Sequence, residues 1–462
     1  MKSWALAGAF GAVLASDLSA QPAPAPSHVA PAAGLAGPLA RVTFSNQVVR
    51  LFQKSCQSCH HDGGIAPFPL VTYPDAFDHR AQIQIVTSSR RMPPWKPDAA
   101  CSSFEGNPSL SEAEMRTIDR WVAAGAPEGD PRDLPPPLAF EKGWAVGTPD
   151  VILSMAQPFL PDFGKGDVYR CFVLPSGVAG QRYLRAAEVS PGNRAMVHHV
   201  LLFADTNNAS AGKDGADGQP GYPCFGGPGF DAISPLGGWV PGIRPAVLPD
   251  GIGIDLPAGA PIVMQVHYSA RTGGVAPDVT RVGLYFTRGA VQKRLLTLPL
   301  LSRSFRLPAG QTNIPVTASF TNVFSPVHVL GIAPHMHLLG RTMTVEATTG
   351  GEKVCMVNVP DWDFRWQGSY TYTAGVPLPF GSRLDLTATY DNSAGNPNNP
   401  NIPPKDVSWG ENTSDEMCVC YVMFTLDYEN LSGARGLAAT TRETFVPFWE
   451  EPWKTDERRP VP

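Results

Sequence analysis

Hydrophobic and polar residues alternate with a period of two along most of the chain after its first third. Residues 383–390 alternate four apolar with four polar side chains, and residues 197–203 and 261–268 form nearly continuous apolar runs. Successive side chains of a β-strand point to opposite faces, so these patterns indicate half-buried and fully buried strands. Because helical periodicity is scarce here, the chain is predicted to be mainly β, with tandem antiparallel, jelly-roll-like β-sandwiches over residues 149–300 and 301–430.

A helical period appears earlier, after Ser111. Ser111 and Glu114 have the spacing of a capping box, and Gly125 is placed to end the helix. The apolar residues on one face of this helix are Met115, Ile118, Trp121 and Val122. We therefore expect a small α-helical domain over residues 41–130, which a Pro-rich linker, residues 131–148, joins to the first sandwich.

The N-terminus has the order of an export signal. Lys2 precedes an apolar run over residues 4–14, and a small-residue site ends at Ala20. That run is shorter than a bilayer-spanning helix, so residues 1–20 are predicted to be a signal peptide cleaved after Ala20, with retention as an anchor as the alternative. Residues 21–40 are rich in Ala and Pro and are expected to form a semi-extended linker. The mature protein is predicted to be periplasmic or secreted, without a stable membrane span.

The composition narrows the classes of partner. The 462 residues carry a formal net charge of -5 with a pI near 6.1, so no basic field is present that would attract nucleic acid. The 48 prolines and 45 glycines indicate many turns between short strands. The length corresponds to roughly three domains. Residues 431–462 remain as a charged, proline-containing tail.

A short motif in the helical region carries chemistry of its own. Cys56, Cys59 and His60 form the C-x-x-C-H pattern of covalent c-type haem attachment. A redox C-x-x-C or half of a zinc site would use the same cysteines, but the export signal and the single C-x-x-C favour haem. Met92, in a loop before two prolines, is the preferred sixth ligand of the iron. The alternatives are His79, His61 and Met115. The order of haem motif, methionine loop and terminal helix resembles a small class I cytochrome c.

Two histidines in the last third of the chain have the spacing of a metal site. On a strand, His335 and His337 point to the same face while Met336 turns away. Two imidazoles leave a metal site incomplete, and the candidate ligands that remain are distant in sequence. These candidates are His198, His199, His267 and Met417. A thioether beside imidazoles favours copper over zinc or magnesium.

His198 and His199 are neighbours on a predicted strand, which poses a geometric problem. An ideal strand would turn them to opposite faces. Both can therefore bind one ion only if the backbone bulges or the strand ends there. His267 lies in a second apolar strand of the same predicted sandwich and could complete a site of three imidazoles.

Four motifs in order resemble the copper type II monooxygenases, the family of peptidylglycine alpha-hydroxylating and dopamine beta-monooxygenases. The motifs are Val197–Phe203, Gln265–Tyr268, His335–Gly340 and Ser414–Cys418. The resemblance implies two copper ions, one on His198, His199 and His267 and one on His335, His337 and Met417. In the family the first copper stores and passes an electron, and the second binds dioxygen and oxidises a substrate C–H bond.

The same resemblance suggests roles for further residues. It implies a disulfide between Cys171 and Cys224, and a second one from Cys418, with Cys355 as the suggested partner. Tyr421 keeps a family aromatic and is a candidate catalytic residue that would contact substrate or an oxygen species. Ala333 and Val419 stand where peptidylglycine enzymes have arginine and asparagine, so recognition of a C-terminal glycine carboxylate is not expected.

Two features near these motifs have competing interpretations. His328 is interpreted as structural rather than as a ligand. Trp239 and the aromatic run Asp361–Trp366 either line a substrate cleft or belong to the core, and core is the commoner role of aromatics in sandwiches.

The two modules together suggest an electron relay. A copper monooxygenase consumes two electrons per turnover, and each copper stores one. We hypothesise that the haem feeds electrons to the copper region, replacing or relaying from ascorbate or another external reductant or redox protein. The expected partners are dioxygen and an organic substrate that the sequence does not identify. The alternative is a non-catalytic copper and haem redox carrier or a copper-handling protein.

Overall fold

A computed structural model describes residues 41–432 apart from 65, 141–142, 226, 231–234, 241–244, 270–274, 324 and 411. The predicted export signal, the Ala/Pro-rich linker and nearly all of the predicted tail lie outside the described residues. Among the helices of the described part, none is long and apolar enough to cross a membrane.

The first described segment is helical. After a π-helical turn at Phe44–Val48, the helices are α1 (Val49–Ser55), α2 (Tyr73–Asp78), α3 (Arg80–Ser88) and α4 (Glu112–Ala123). The predicted capping box of α4 is confirmed, because Ser111 and Glu114 each accept a hydrogen bond from the backbone N–H of the other. Ile118 and Trp121 on its inner face are fully buried with Phe44 and Phe52. The amphipathic pattern of α4 thus builds a small apolar core.

Two β-sheets that share one core follow the helical segment. Their strands are β1 (Val151–Ser154), β2 (Val168–Leu174), β3 (Arg182–Ser190), β4 (Val197–Ala204), β5 (Tyr222–Pro223), β6 (Pro235–Trp239), β7 (Ile252–Leu256), β8 (Ile262–Tyr268), β9 (Arg281–Phe286) and β10 (Lys293–Arg294). One sheet has the order β1-β9-β3-β7-β10 and the other β5-β2-β8-β4-β6. Every pairing is antiparallel except that of β10 with β7. Side chains from both sheets meet in a single apolar cluster.

A second pair of sheets repeats this arrangement. Its strands are β11 (Leu296–Ser302), β12 (Arg306–Leu307), β13 (Ile314–Thr321), β14 (Val327–His335), β15 (Gly340–Thr349), β16 (Glu352–Val359), β17 (Tyr370–Leu378), β18 (Arg383–Tyr390), β19 (Val407–Ser408) and β20 (Cys418–Leu426). The sheet orders are β11-β20-β14-β17 and β13-β18-β15-β16, with β12 and β19 paired separately. All pairings here are antiparallel. The prediction of a mainly β chain built of antiparallel sheets is confirmed.

The helical segment does not stand apart from the second pair of sheets. Between α3 and α4 the chain leaves the helical core and packs on β16 and β17. Cys101 forms a disulfide with Cys355, and the Phe104 ring is buried in the core of the second sheet pair. Because one covalent bond and one apolar anchor hold this loop, the helical segment is docked on the second sandwich rather than only linked through residues 131–148.

The disulfides correct one sequence expectation and confirm another. Cys171 and Cys224 are bonded as predicted. The suggested pairing of Cys418 with Cys355 is wrong, because Cys355 is bonded to Cys101 and Cys418 is a buried free thiol on β20. Sequence spacing could not reveal this, because Cys101 comes from the helical segment and meets β16 only through tertiary docking.

Candidate metal centres

The first centre, which we define as His198, His199 and His267, lies on β4 and β8. One nitrogen of each imidazole lies within 4.8 Å of one nitrogen of the others. The two neighbouring histidines reach the same side because the register of β4 against β8 shifts between Val197 and His199. The expected bulge is therefore present, and it turns two consecutive side chains toward His267.

The ring nitrogens of the first centre converge in a defined way. The Nδ1 atom of His199 lies 3.4 Å from Nδ1 of His198 and 3.3 Å from Nδ1 of His267. The other nitrogen of His267, Nε2, is 3.0 Å from a carboxylate oxygen of Asp167. That contact assigns the proton of His267 to Nε2 and leaves Nδ1 as a lone-pair donor. Three imidazole nitrogens so close together are a donor set that suits a transition metal.

Burial favours a neutral imidazole at His199. Burial, together with the neighbouring imidazoles, lowers the pKa of His199 well below its ordinary value. Burial raises the pKa of Asp167, but hydrogen bonds and charge attraction from His267, with a further bond from Thr413, outweigh it and hold the pKa at about 2. Tyr169 stacks on the His267 ring with centroids 4.1 Å apart. The carboxylate and the aromatic ring thus fix the orientation of His267.

The second centre, which we define as His335, His337 and Met417, lies where β14 ends. The imidazoles of His335 and His337 have ring centroids 5.2 Å apart. Met336 is fully buried in the core on the opposite side, as the alternation predicted. His335 lies opposite Val419 in the pairing of β14 with β20. The pairing ends with these two residues, and His337 and Met417 each lie two positions beyond it along their own segments.

In the second centre, the Nδ1 atoms of both imidazoles already have hydrogen-bond partners. Nδ1 of His335 contacts the side-chain oxygen of Gln367, and Nδ1 of His337 is 3.1 Å from the carbonyl oxygen of Asp415. Both acceptors require a proton on Nδ1 and leave Nε2 with its lone pair. The two centres therefore offer different nitrogens, Nδ1 in the first and Nε2 in the second.

A buried carboxylate holds the second centre together, and sequence reasoning did not single it out. Glu416 is fully buried and accepts hydrogen bonds from the backbone N–H of His337 at 2.9 Å, Leu339 at 2.6 Å and Met417 at 3.1 Å. The signal in the sequence is a charged residue two positions before the apolar strand β20. Because one carboxylate binds both segments, the backbones of His337 and Met417 are fixed to each other.

Burial dominates the acid–base properties of the second centre. Desolvation lowers the pKa of His335 to about 4 and that of His337 to about 3. Burial raises the pKa of Glu416 to about 8, although the backbone N–H groups oppose this shift. Both imidazoles are consequently neutral and able to donate to a metal throughout the neutral range.

The two centres face each other across a single aromatic ring. Phe364 stacks on His198 with centroids 5.0 Å apart and meets His337 edge-on at 5.8 Å. Across the same gap the hydroxyl of Thr413 donates a 2.9 Å hydrogen bond to Asp167. The two sandwiches thus meet at the candidate metal centres.

The other residues considered for a role near the centres have distinct places. Tyr421 lies opposite Ala333 on β14, two residues from the His335–Val419 pair, and so shares the face of His335. Trp362 is buried in the core, and its ring N–H donates to the carbonyl oxygen of His337. Trp239 packs against the core of the first sandwich. His328 makes a 2.6 Å contact with Asp427, in agreement with a structural role.

The C-x-x-C-H motif follows α1. Cys56 and Cys59 are not disulfide-bonded. Nδ1 of His60 is 2.9 Å from the carbonyl oxygen of Phe68, which leaves Nε2 free to donate. Burial lowers the pKa of His60, the contact with Phe68 opposes this, and the positive charge of a protonated His79 adds to the lowering.

The structure places the candidates for the sixth iron ligand differently. Met92 is half-buried in the turn after α3, and its backbone N–H donates to Val86. His79 stacks on the Phe68 ring with centroids 3.7 Å apart. Met115 belongs to the helical core, and the His61 ring stacks on Phe140. Of these four candidates only Met115 is buried.

Comparisons with known proteins find a matching family model and a distant relative. Residues 307–440 match the family model described as copper type II ascorbate-dependent monooxygenase, C-terminal domain. Dopamine beta-hydroxylase of Rattus norvegicus is 23% identical over 310 residues, which cover 60% of this chain and 45% of that protein. The chain thus spans about half the length of this relative. Both similarities support the family of copper-dependent monooxygenases.

Two of the solved structures with a detectable likeness are viral shell proteins. The major capsid protein P2 of Bacteriophage PM2 covers 60% of this chain and 97% of its own length at 9% identity, with a TM-score of 0.25. The VP2 subviral particle of infectious bursal disease virus covers 59% of this chain and 77% of its own length at 9% identity, with a TM-score of 0.16. Scores of this size carry no argument about fold or function.

Proposed function

We propose that this protein is an exported copper-dependent monooxygenase that hydroxylates a C–H bond of an organic substrate with dioxygen. The observation that carries the proposal is the pair of facing donor sets, with three converging Nδ1 atoms in one and, in the other, two imidazoles whose Nε2 atoms keep their lone pairs. The match of residues 307–440 to the family supports the same conclusion.

The first centre fits a copper ion that exchanges electrons. His198, His199 and His267 would supply three neutral imidazoles, and Asp167 holds the last of them in the required tautomer. Phe364 and Tyr169 cover the His198 and His267 rings, which restricts the space for a further ligand. A centre filled by imidazoles suits storage of one electron better than binding of substrate.

The second centre fits a copper ion with a softer donor set. His335 and His337 would bind through Nε2, and Met417 would add a thioether, which stabilises Cu(I). Glu416 positions the backbones of His337 and Met417, and Gln367 orients the ring of His335. Tyr421, on the same face as His335, is proposed to contact the substrate. When bound, the two copper ions would supply one-electron redox chemistry and the activation of dioxygen.

The helical segment fits a covalently attached haem. Cys56 and Cys59 supply two unpaired thiols, and His60 presents Nε2 because Phe68 holds its other nitrogen. We propose that Met92 is the sixth ligand, with His79 as the alternative. The haem would store one further electron, taken from ascorbate or another external reductant and passed to the copper region.

The chemistry of the cysteines supports the proposal that the protein is exported. Two disulfides, Cys101–Cys355 and Cys171–Cys224, join distant parts of the chain, and such bonds persist in oxidising compartments. Thioether attachment of haem at C-x-x-C-H agrees with the predicted signal peptide. We therefore place the protein in a periplasm or outside the cell.

Metal analysis and oxygen uptake test the proposal together. Mass spectrometry of the purified protein should give two copper ions and one iron per chain, and a pyridine haemochrome spectrum should show a c-type haem. Oxygen consumption should then rise with one class of substrate in a panel of amines, peptides and lipids, with one hydroxylated product per dioxygen. Full metal loading without any substrate-dependent uptake would instead support a redox carrier.

The departures from the peptidylglycine pattern narrow the panel. Ala333 cannot pair with a carboxylate as an arginine would. Peptides ending in glycine are therefore expected to be turned over no faster than their amidated forms. A strong preference for the free carboxylate would contradict this expectation and point to another cationic side chain near the second centre.

A further inference from the structure

One seven-residue stretch contacts both candidate copper centres. We call residues 361–367, between β16 and β17, the bridging segment. The ring N–H of Trp362 donates a 3.0 Å hydrogen bond to the carbonyl oxygen of His337. The side chain of Gln367 contacts Nδ1 of His335, while its amide donates to the carbonyl oxygen of Phe364. The bridging segment thus holds two ligands of the second centre by direct hydrogen bonds.

Phe364 is the residue of the bridging segment that contacts the first centre. Its ring is nearly parallel to that of His198, with an interplanar angle of 19° at 5.0 Å, and nearly perpendicular to that of His337, at 83° and 5.8 Å. The rings of His198, Phe364 and His337 therefore form a continuous series of ring–ring contacts. A Phe side chain cannot titrate or bind a metal, so its contribution is contact and exclusion of water.

The loop that carries Met92 docks beside the bridging segment. Three residues after Met92, the Trp95 ring packs edge-on against Tyr370 with centroids 5.1 Å apart. Lys96, whose side chain is only 8% exposed, forms a 2.9 Å ion pair with Asp361, the first residue of the bridging segment. Tyr370 in turn lies opposite Ile332 on β14, the strand that ends at His335. The loop that carries Met92 and the strand that ends at His335 are thus connected by a short series of packed contacts.

A disulfide also joins the loop that carries Met92 to the second sandwich covalently. Cys101 and Cys355 join the same loop to β16, which leads directly into the bridging segment. The backbone N–H of Asp98 also donates to the carbonyl oxygen of Asn358, three residues before Asp361. A docking held by a covalent bond, a buried cation and a backbone hydrogen bond is an intramolecular interface and needs no encounter between separate proteins.

We infer that an electron from the haem enters the copper region at the second centre through the bridging segment, and that Phe364 couples the second centre to the first. This inference rests on the proposed function. In the first step a haem held by Cys56, Cys59 and His60 would give one electron to a cupric ion held by His335, His337 and Met417. In the second step that electron would pass, by way of Phe364, to a cupric ion held by His198, His199 and His267. Each step moves one electron and breaks no bond, and an external one-electron reductant of the ascorbate class restores the haem.

Flash photoreduction of the fully loaded protein tests the order of these steps. Under argon, with both copper ions oxidised, a soluble photosensitiser reduces the haem, and the haem absorbance and the Cu(II) electron paramagnetic resonance signals are followed in time. In His267→Ala, which removes a ligand of the first centre, fast reoxidation of the haem should persist. In His335→Ala, which removes a ligand of the second centre, that fast phase should disappear.

Phe364→Ala tests the coupling between the centres. Fast haem reoxidation should be unchanged, while loss of the Cu(II) signal of the first centre should slow by at least about tenfold. Phe364→Tyr should restore the rate, because it retains the ring. Phe380→Ala is the matched control, since this Phe is exposed in the turn after β17, at the end of β14 remote from His335. Copper content measured on every variant separates lost coupling from lost metal.

The outcomes divide clearly between the two proposals. A haem that fails to attach, or copper that fails to bind in the unmutated protein, refutes the proposed function. With both loaded, equal rates in Phe364→Ala and in Phe380→Ala overturn the role of Phe364. Fast haem reoxidation in His335→Ala, with reduction of the first centre, overturns the order of entry.

Discussion

The two candidate metal centres use a carboxylate in opposite ways. In the first centre Asp167 contacts an imidazole directly and thereby selects which nitrogen of His267 donates. In the second centre Glu416 touches no imidazole and instead binds the backbone N–H groups of His337 and Met417. The acidic side chain that contacts an imidazole selects the tautomer of the ligand. The acidic side chain that contacts the backbone fixes where the ligand lies.

This difference follows from where each centre lies in the fold. The first centre is built on two paired strands, β4 and β8, so hydrogen bonds of the sheet already position its backbone. The second centre lies beyond the end of β14 and just before β20, where the sheet ends. The backbone there needs another acceptor, and the buried carboxylate of Glu416 supplies it.

The largest effect is expected when Met417, the softest proposed ligand of the second centre, is removed. In Met417→Ala, hydroxylation should fall by more than the roughly 100-fold that loss of an outer partner causes, while haem attachment and copper binding at the first centre persist. Product analysis and metal content per chain measure both effects. Hydroxylation at the unmutated rate would remove Met417 from the second centre.

Removal of the Glu416 carboxylate should affect stability as well as metal binding. Glu416→Ala leaves three buried backbone N–H groups without their acceptor, which should reduce the free energy of unfolding by about 3 kcal/mol or more. Glu416→Gln keeps one acceptor oxygen, so its loss should be smaller. Denaturant unfolding of the metal-free protein measures the difference. Equal stability of the two variants would show that the carboxylate does not position the backbone.

A moderate effect is expected at the first centre when the partner of His267 is removed. Asp167→Ala should weaken copper binding there by about 10- to 100-fold, because the imidazole loses its fixed tautomer. Thr413→Val is the control, since it removes a different hydrogen bond to the same carboxylate but leaves His267 untouched. Competitive chelator titrations of each variant give the affinities. A weaker affinity at the second centre alone would contradict the assignment.

The smallest effect should be the response of the second centre to pH within the neutral range. A proton on an imidazole competes with the metal only below the pKa of that imidazole. Because the pKa values of His335 and His337 are lowered to about 4 and about 3, copper retention should be flat down to about pH 5 and should fall at lower pH. Equilibrium dialysis of His267→Ala, in which only the second centre is expected to bind copper, measures copper retention as a function of pH. Copper release centred near pH 6.5, the ordinary imidazole value, would show that burial does not control these groups.

Much of the fold and of the ligand pattern could be predicted from the sequence. The alternation of apolar and polar residues predicts strands, because burial of one face follows from side-chain direction alone. The bulge at His198 and His199 was required by the hypothesis that both residues bind one ion, and the register shift supports it. The burial of Met336 also follows from the alternation along β14.

The parts that could not be predicted depend on tertiary contacts. No pattern in the sequence marks Glu416, Gln367 or Asp167, because their roles arise only when segments that are distant in sequence pack together. Phe364 was one aromatic among several in a run, and nothing in that run distinguishes the ring between two centres from a core residue such as Trp362. The partner of Cys355 lies 254 residues away in the helical segment.

The bond between Cys101 and Cys355 has a consequence for any protease that meets this protein. Residues 131–148 connect the helical segment to the first sandwich, and the disulfide provides a second, independent attachment to the second sandwich. One cut between positions 131 and 148 would therefore release no fragment. The two pieces would migrate together on a denaturing gel and separate only after a thiol is added, so the C-x-x-C-H motif would stay attached to both sandwiches even in nicked molecules.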